Sequence, residues 1–337
     1  MVTMKNVADE AGVSKSTVSR VLSGKASEYG ITKDTEKKVR EVAKRLNYAP
    51  NQLAKGLRLK QTRSIGLVVP DISNPFFASI VKNISKEAHK LGYSLTLSDS
   101  QDDTNIESNT LSYLQNRVVD GFIVCPVGQK FDHIQDLIDD GEKVVVVDRY
   151  FPELECPSVI SDNYKGAIDG TEYLIQNGHK TIGFIQGELN TSVNDDRLKG
   201  YKDTLEKYNI PITESLIVGD SFGERNGYIS TKLLLNREPE ISAIFATSNL
   251  ISHGSLRAMS EDGLKIPEDI SIISFDDQPY SDLLKTPMTT VTQQKEEIGR
   301  LAFKLLIEQI KTNKINKTQL VKIPTKLVER KSVRKIN

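Results

Sequence analysis

From Ser64 onward the chain repeats one pattern, and that pattern restricts the fold more than any other feature. Short, mostly apolar runs at Ile65–Val69, Leu95–Leu97, Phe122–Val124 and Val144–Val147 are separated by longer stretches with helical spacing. The alternation resumes at Ile182–Ile185, Ala243–Ala246 and Ile270–Phe275. Strands that are apolar on both faces need cover on both sides, which parallel sheets with crossover helices supply. In the first such helix, 76–91, the residues Phe77, Ile80, Val81, Ile84, Ala88 and Leu91 recur at a spacing that turns them inward. The body is too long for one ordinary sheet, and Pro157–Asn163 reads as a crossover. The expectation is two doubly wound parallel-sheet α/β subdomains with a cleft between them.

The first sixty residues have a different texture. Val7, Ala8 and Ala11 form one helical stripe, Gly12 supplies a left-handed end, and Ser14 is a ready N-cap for a second helix. Val18, Val21 and Leu22 face back onto that stripe, leaving Lys15, Ser16, Ser19 and Arg20 outside. The spacing of Ala8, Gly12 and Val18 is that of a helix-turn-helix, whose second helix enters the DNA major groove. A plain amphipathic hairpin would carry the same stripes, so charge has to help decide. Residues 1–60 hold nine Lys and four Arg against two Asp and four Glu, a net of +7 in a chain whose formal net charge is zero. A basic head on an acidic body is the footprint of a surface that meets phosphates. After a polar turn at Lys25–Gly30, Thr32 caps a third helix with Val39, Val42, Ala43 and Leu46 inward, and Tyr48-Ala49-Pro50 is expected to stop it. Asn51–Arg58 is a short helical pattern in a basic linker, weakened at Gly56 by about 1 kcal/mol.

Several classes of function find no support. Cys125 and Cys156 are too few for a disulfide framework. No positively charged leader precedes an apolar run, and no run reaches the roughly eighteen apolar residues of a membrane span, so the expectation is a soluble, cytoplasmic protein without membrane contact. His89, His133, His179 and His253 are scattered outside any metal-binding spacing, and His179 reads as a turn residue. Neither a nucleophile elbow nor a phosphate-binding glycine loop is present, so no catalytic residue, metal or cofactor is assigned. Asp276 and Asp277 could serve an enzyme of the hydrolase or isomerase type, but they lack a nucleophile or metal to work with.

Polar residues do gather where the carboxyl ends of the strands should lie. Asp71, Asn74, Phe76 and Phe77 follow the first strand, Asp148 and Arg149 follow Val144–Val147, and Ser161–Asn163 lie at the crossover. Ser248 and Asn249, Asp276 and Asp277, and Arg197 at the head of a helix complete the set. Each residue alone is an ordinary helix cap or loop-closing group. Together they offer acceptors for hydroxyl pairs, guanidiniums and aromatic faces, which suits a polyhydroxylated ligand.

These residues also form a recognisable series. Asn6-Val7-Ala8, Ala11–Lys25, Leu46–Asn51, Leu53-Ala54 and Leu57-Arg58 resemble the DNA-binding head of the lactose-repressor/galactose-repressor (LacI/GalR) family. The resemblance continues through Ile65–Phe77, Gly178-His179, Arg197–Tyr201, Gly254–Ala258 and Ile266–Ser271. It implies an all-α head over residues 1–47, a hinge helix and linker over 48–61, and a body of periplasmic-binding-protein type. That body divides into a first subdomain of 62–161 with about 292–321 and a second of 162–291 with about 322–331. In the head, Lys15, Ser16 and Arg20 would point at base edges, Arg20 with the geometry for a guanine. Thr3, Ser14, Thr17, Ser19 and Asn51 would position phosphates, and Leu57 would wedge into the minor groove. In the body, Phe76, Asp148, Arg149, Arg197, Ser248, Asp276 and Gln293 fall at ligand-contacting positions, with Asp71 beside them.

The implied function is a transcriptional regulator, acting as a repressor of carbohydrate genes, whose affinity for a palindromic double-stranded operator follows a bound sugar or sugar phosphate. A stand-alone sugar-binding protein is the alternative, against which the basic head argues. Three features depart from the family pattern. The turn Ala26–Gly30 is long and lacks proline, Ser248-Asn249 replaces the common Asn-Asp pair, and no leucine-heptad tail follows Val328–Arg330. The last of these makes a homodimer the expected assembly.

Overall fold

A computed structural model of the chain describes residues 2–48, 62–313 and 319–336. The chain forms two compact units, Met1–Thr62 and Arg63–Asn337. The first contains α1 (Met4–Ala11), α2 (Lys15–Leu22), a 3-10 turn at Ser27–Tyr29, and α3 (Lys33–Arg45). Each helix starts on a hydroxyl cap: Thr3 accepts from Asn6, Ser14 from Thr17, and Thr32 from Thr35. Gly12, at φ +68°, turns the chain between α1 and α2. Val7, Ala8, Ala11, Val18, Val21, Val39, Val42 and Ala43 bury together as the small core, and Arg40 of α3 donates to the Val21 carbonyl at 3.2 Å. The third helix ends earlier than its proline suggests. Asn47 takes a left-handed φ of 50°, and the Tyr48 amide returns to the Ala43 carbonyl at 2.8 Å. Local backbone closure therefore stops α3 before Pro50, which lies outside the described residues. The hinge pattern, with Asn51 and Leu57, also lies outside them.

The second unit begins with β1 (Ser64–Val69), α4 (Pro75–Lys90), β2 (Ser94–Asp99), α5 (Thr104–Asn116), β3 (Phe122–Val124), α6 (Asp132–Asp139), β4 (Val144–Val147) and β5 (Ser158–Ser161). It continues through α7 (Asn163–Gln176), β6 (Ile182–Ile185), α8 (Ser192–Lys207), β7 (Ile217–Val218), α9 (Glu224–Arg237), β8 (Ala243–Ala246) and α10 (Asn249–Glu261). It closes with β9 (Ser271–Phe275), β10 (Thr289–Thr292), α11 (Lys295–Thr312), β11 (Leu320–Ile323) and β12 (Lys326–Val328).

These strands make two sheets, in the orders β11-β5-β4-β3-β1-β2 and β12-β10-β9-β8-β6-β7. Every pairing is parallel except that of β12 with β10. Alternate residues of the central strands point to opposite faces, as a period of two requires. In the first sheet Ile65, Leu67, Ile123 and Val145 meet α4 and α11, while Val68, Phe122, Val144 and Val146 meet α5 and α6. The second sheet is sandwiched in the same way, between α9 and α10 on one face and α7 and α8 on the other. The chain passes between the two lobes three times: after β5, between β10 and α11, and between β11 and β12.

The structure corrects the sequence reading at several points. Pro157–Asn163 is a crossover that also contains a full strand, β5, and Ile270 precedes its strand. The short strands β7, β10, β11 and β12 carry too little apolar signal to be read. Leu91 is 44% exposed at the end of α4, because the helix stops at Lys90 and Leu91 is its C-cap. His179 is fully buried, its Nε2 donating to the Arg334 carbonyl at 3.1 Å and its Nδ1 meeting Ser242 Oγ at 3.0 Å. The C-terminal segment thus closes over a residue expected in an open turn.

Candidate functional site

The strand ends of both sheets converge on a cavity of about 370 Å³. Its lining includes Asp71, Phe76, Asp148, Arg149, Arg197, Ser248, Asp276 and Gln293, the residues that the family resemblance places at or beside the ligand, on one surface. A parallel sheet leaves its strand-to-helix turns at one end, and the cavity is built from those turns.

Two of these turns share a backbone feature. Asp148 after β4 and Asp276 after β9 both take left-handed conformations, at φ 74° and 72°. Aspartate tolerates that region better than most residues, at a cost of order 1 kcal/mol. Asp276 is buried and accepts from Gln293 Nε2 at 2.6 Å. Burial pushes the Asp148 carboxyl up to about 6, against the pull of Arg197 and Arg149 and with the help of Asp276.

Arg197 enters from α8 and is only 2% exposed. Its Nε and Nη2 both donate to Asn163 Oδ1, at 2.9 and 2.8 Å, and Nη1 donates to the Thr247 carbonyl. The guanidinium carbon lies 3.7 Å from the centre of the Phe275 ring. Burial lowers its pKa, opposed by Asp276, Asp148 and Asp196. Three of the five N–H groups are thereby anchored, which fixes the fork and leaves two for a ligand. Arg149 pairs with Glu188 at 2.8 Å and donates to the Gly128 carbonyl at 3.0 Å.

The other residues of the cleft set divide. Asn74 caps α4 through Phe76 at 3.0 Å and also accepts from Asn249 across the cavity at 3.0 Å. Phe76 and Phe77 meet edge to face, with centroids 5.0 Å apart, and both line the cavity. Ser248 caps α10, accepting from Ile251 and donating to the Phe222 carbonyl. Asp71 accepts from both the amide and the hydroxyl of Ser73. Ser161, Asp162 and Asn163 are not among the lining residues: Asp162 caps α7, and Asn163 stands behind Arg197. Asp277 is likewise absent from the lining. Against its burial, a bidentate contact from Arg330 at 2.8 and 2.9 Å holds its carboxyl below the ordinary range. The Asp276–Asp277 pair is therefore split between two environments.

Asp102, Glu188, Asp220 and Phe222 also line the cavity and were not singled out in the sequence. Asp102 follows β2 and Glu188 follows β6, so the strand-end rule would have found them if applied at every strand. Asp220 and Phe222 follow β7, a strand of two residues with almost no signal.

In the first unit, Lys15, Ser16 and Arg20 are exposed on α2. Ser14 Oγ meets Ser16 Oγ at 2.7 Å and Thr17 Oγ1 at 2.9 Å, so the helix start carries a linked cluster of hydroxyls. Ser19 lies one turn before the helix end and is partly buried. The Thr3 hydroxyl donates to Asn6 Oδ1 at 2.6 Å. The Arg20 guanidinium sits 4.0 Å over the ring of Tyr29, which stands in the long turn that departs from the family pattern. Among the described residues no group of His, Cys, Asp and Glu is arranged to hold a metal ion, and no helix is long and apolar enough to cross a membrane.

Comparison with known proteins agrees with both halves of this description. Residues 3–51 match the model for bacterial regulatory proteins of the lacI family, and residues 62–331 match that for periplasmic binding proteins and the sugar-binding domain of the LacI family. The chain belongs to the LacI family. A transcriptional repressor named PurR from Haemophilus influenzae is 33% identical over 338 residues, covering 100% of both chains. The lac repressor dimer bound to operator and the anti-inducer ONPF superposes with a TM-score of 0.87 at 26% identity, covering 99% of each chain. A LacI-family regulator from Enterococcus faecium with bound ribose gives 0.74 at 28% identity, covering 81% of this chain and 100% of the other. The LacI-family protein described here is thus similar along its whole length to repressors, and along its body to a sugar-bound regulator.

Proposed function

We propose that this LacI-family chain represses transcription as a homodimer on a palindromic operator, and that a sugar held in the cavity sets its affinity for that operator. The observation that carries this reading is a cavity lined by residues of both lobes, in a chain that also bears a helix-turn-helix unit. In the head, Lys15, Ser16 and Arg20 read base edges, while Thr3, Ser14, Thr17 and Ser19 position phosphates. Asn51 and Leu57 complete that set from outside the described residues. In the body, Asp148, Asp276 and Gln293 accept hydroxyl protons, Arg149 and Arg197 donate, Phe76 covers an apolar sugar face, and Asp71 and Ser248 close the rim. The two subdomains divide where the chain changes sheet, near 161, 292 and 323. The E. faecium regulator that holds ribose supports a sugar as the ligand class, and the lac repressor dimer on its operator supports the assembly.

The test is fluorescence anisotropy on DNA from upstream of the chain's own gene, at two salt concentrations. Binding is expected to weaken steeply with salt, and Arg20→Ala is expected to lose about 1–3 kcal/mol of sequence discrimination while keeping sugar binding. Salt-independent binding, or an Arg20→Ala protein that still discriminates its operator, refutes the assignment of α2.

A further inference from the structure

The cavity carries far more negative than positive charge. Asp71, Asp102, Asp148, Glu188, Asp220 and Asp276 line it against two guanidiniums, Arg149 and Arg197. Both cations are largely committed. Arg149 is paired with Glu188 and bonded to the Gly128 carbonyl. Arg197 spends three N–H groups on Asn163 and Thr247, facing inward. The carboxylates are also graded by depth. Asp276 is buried and Asp148 partly buried at the floor, whereas Asp102 and Asp220 are exposed at the mouth. Asp102 already senses its surroundings: the protein crowding its carboxyl raises its pKa, although the residue as a whole is exposed, Arg149 lowers it, and Asp71, Glu188 and Asp99 raise it again.

Hydrogen-bonding capacity points the same way. Asp276 can only accept, so the Gln293 amide must turn its Nε2 toward it, at 2.6 Å. That leaves Gln293 Oε1 buried without a partner. Asp148, Asp276 and Gln293 therefore offer acceptors that need donors. A hydroxyl-rich neutral ligand supplies donors to these groups and can still accept from the two remaining N–H groups of Arg197. A phosphate dianion has no donor to give, and it would enter past two carboxylates.

We infer that this cavity takes an unphosphorylated, uncharged sugar and rejects the phosphate ester of the same sugar, with Asp102 and Asp220 as the discriminating residues at its mouth. The inference rests on the cavity being the effector site. Because both aspartates are exposed, their repulsion is screened by salt, and this separates a charge filter from a steric one.

The experiment titrates the full-length chain by calorimetry with paired ligands: ribose against ribose 5-phosphate, and glucose against glucose 6-phosphate. Each pair is run at about 0.02 M and about 0.5 M NaCl. The expected result is an ester at least about tenfold weaker than its parent sugar at low salt, with the gap narrowing at high salt. Asp102→Asn combined with Asp220→Asn is expected to narrow the gap at low salt as well. An ester that binds as tightly as its parent sugar overturns the inference and leaves the sugar site standing. A gap that neither salt nor the double variant changes also overturns it, since the rejection is then steric. If no member of either pair titrates at either salt, the sugar reading of the cavity falls, and this inference falls with it.

Discussion

Replacing Arg197 by lysine keeps a positive charge in place and removes the planar fork, so it tests whether that fork organises the cavity. In the native protein, two of its N–H groups converge on Asn163 Oδ1 and a third reaches the Thr247 carbonyl, with the guanidinium laid 3.7 Å over the Phe275 ring. A lysine ammonium can reach one of those two acceptors. The other is left buried and unpaired at a cost of about 1–3 kcal/mol, and the lost stacking adds about 1 kcal/mol. The expected destabilisation is about 2–4 kcal/mol, a fall in Tm of roughly 4–8 °C for a unit of this size. Binding should suffer separately, because the two remaining N–H groups, assigned to the sugar in the proposed function, are held in plane by the anchored three. A ligand at about one hundred times its Kd stabilises the native protein by roughly 2.7 kcal/mol, and a tenfold loss of affinity reduces this to about 1.4 kcal/mol. Thermal unfolding with and without ribose measures both effects in one assay. An Arg197→Lys protein with native Tm and a native ribose shift would refute the role given to the fork.

Two other perturbations probe different parts of the body. The Asp148 carboxyl is pushed up to about 6 from an ordinary 3.8, chiefly by burial. A raised carboxylate pKa means that the folded state holds its proton longer than the unfolded state. This group therefore lowers stability progressively as pH rises from about 4 to about 6, and the penalty is complete above that, up to about 3 kcal/mol. Asp148→Asn should accordingly be more stable than the native chain at pH 7.5 and show little difference at pH 4; thermal melts across that range check the sign, and an equal difference at both ends would contradict it. In the second lobe, α9 and α10 cross at two glycines. A Cβ on Gly254 would lie 2.0 Å from the Glu224 carbonyl oxygen, and one on Gly227 would lie 2.1 Å from that of Ile251. Backbone cannot rotate away as a side chain can, so Gly254→Ala should cost about 3 kcal/mol or more, and denaturant unfolding with an unchanged midpoint would show that the crossing is softer than it looks.

The layered α/β body was readable because its central strands are apolar on both faces. Runs such as Val144–Val147 leave no solvent face, and a parallel sheet follows from that alone. The strands that escaped notice, β7, β10, β11 and β12, are two to four residues long; most residues of β7, β11 and β12 are partly or fully exposed, and β10 is built mainly of threonine. Their place is fixed by pairing with distant partners, which no local window contains. The cavity was legible for the reason the sheets were: once the strands are parallel, their carboxyl ends share one edge, and polar residues there must meet. What could not be read was occupancy by other contacts. Asp276 and Asp277 are neighbours of the same type, yet one meets Gln293 in the cavity and the other is held by Arg330 from the C-terminal segment, fifty-three residues away. Likewise His179 reads as a turn until the segment that buries it is in place.

The cavity residues also join the two lobes to each other, and this gives a ligand its leverage. Asn249 of the second lobe donates to Asn74 of the first, and Arg149 of the first pairs with Glu188 of the second. The Tyr150 amide donates to Ser192 Oγ at 3.1 Å, and Gln129 donates to the Leu189 carbonyl, just outside the cavity. Asn74 is at the same time the cap of α4, so a change in its cross-cleft bond is felt at the start of a helix that packs on the first sheet. A sugar that accepts from Arg197 on one lobe and donates to Asp148 on the other gains its full binding energy only at one separation of the lobes. By linkage, such a ligand must favour that separation by as much as its affinity depends on it. The three chain crossings near 161, 292 and 323 are the only covalent links between the lobes within the second unit's described residues, so any relative movement must be taken up there. On the proposed ligand assignment, recognition and lobe position depend on the same few side chains, and a substitution such as Arg197→Lys should weaken both together.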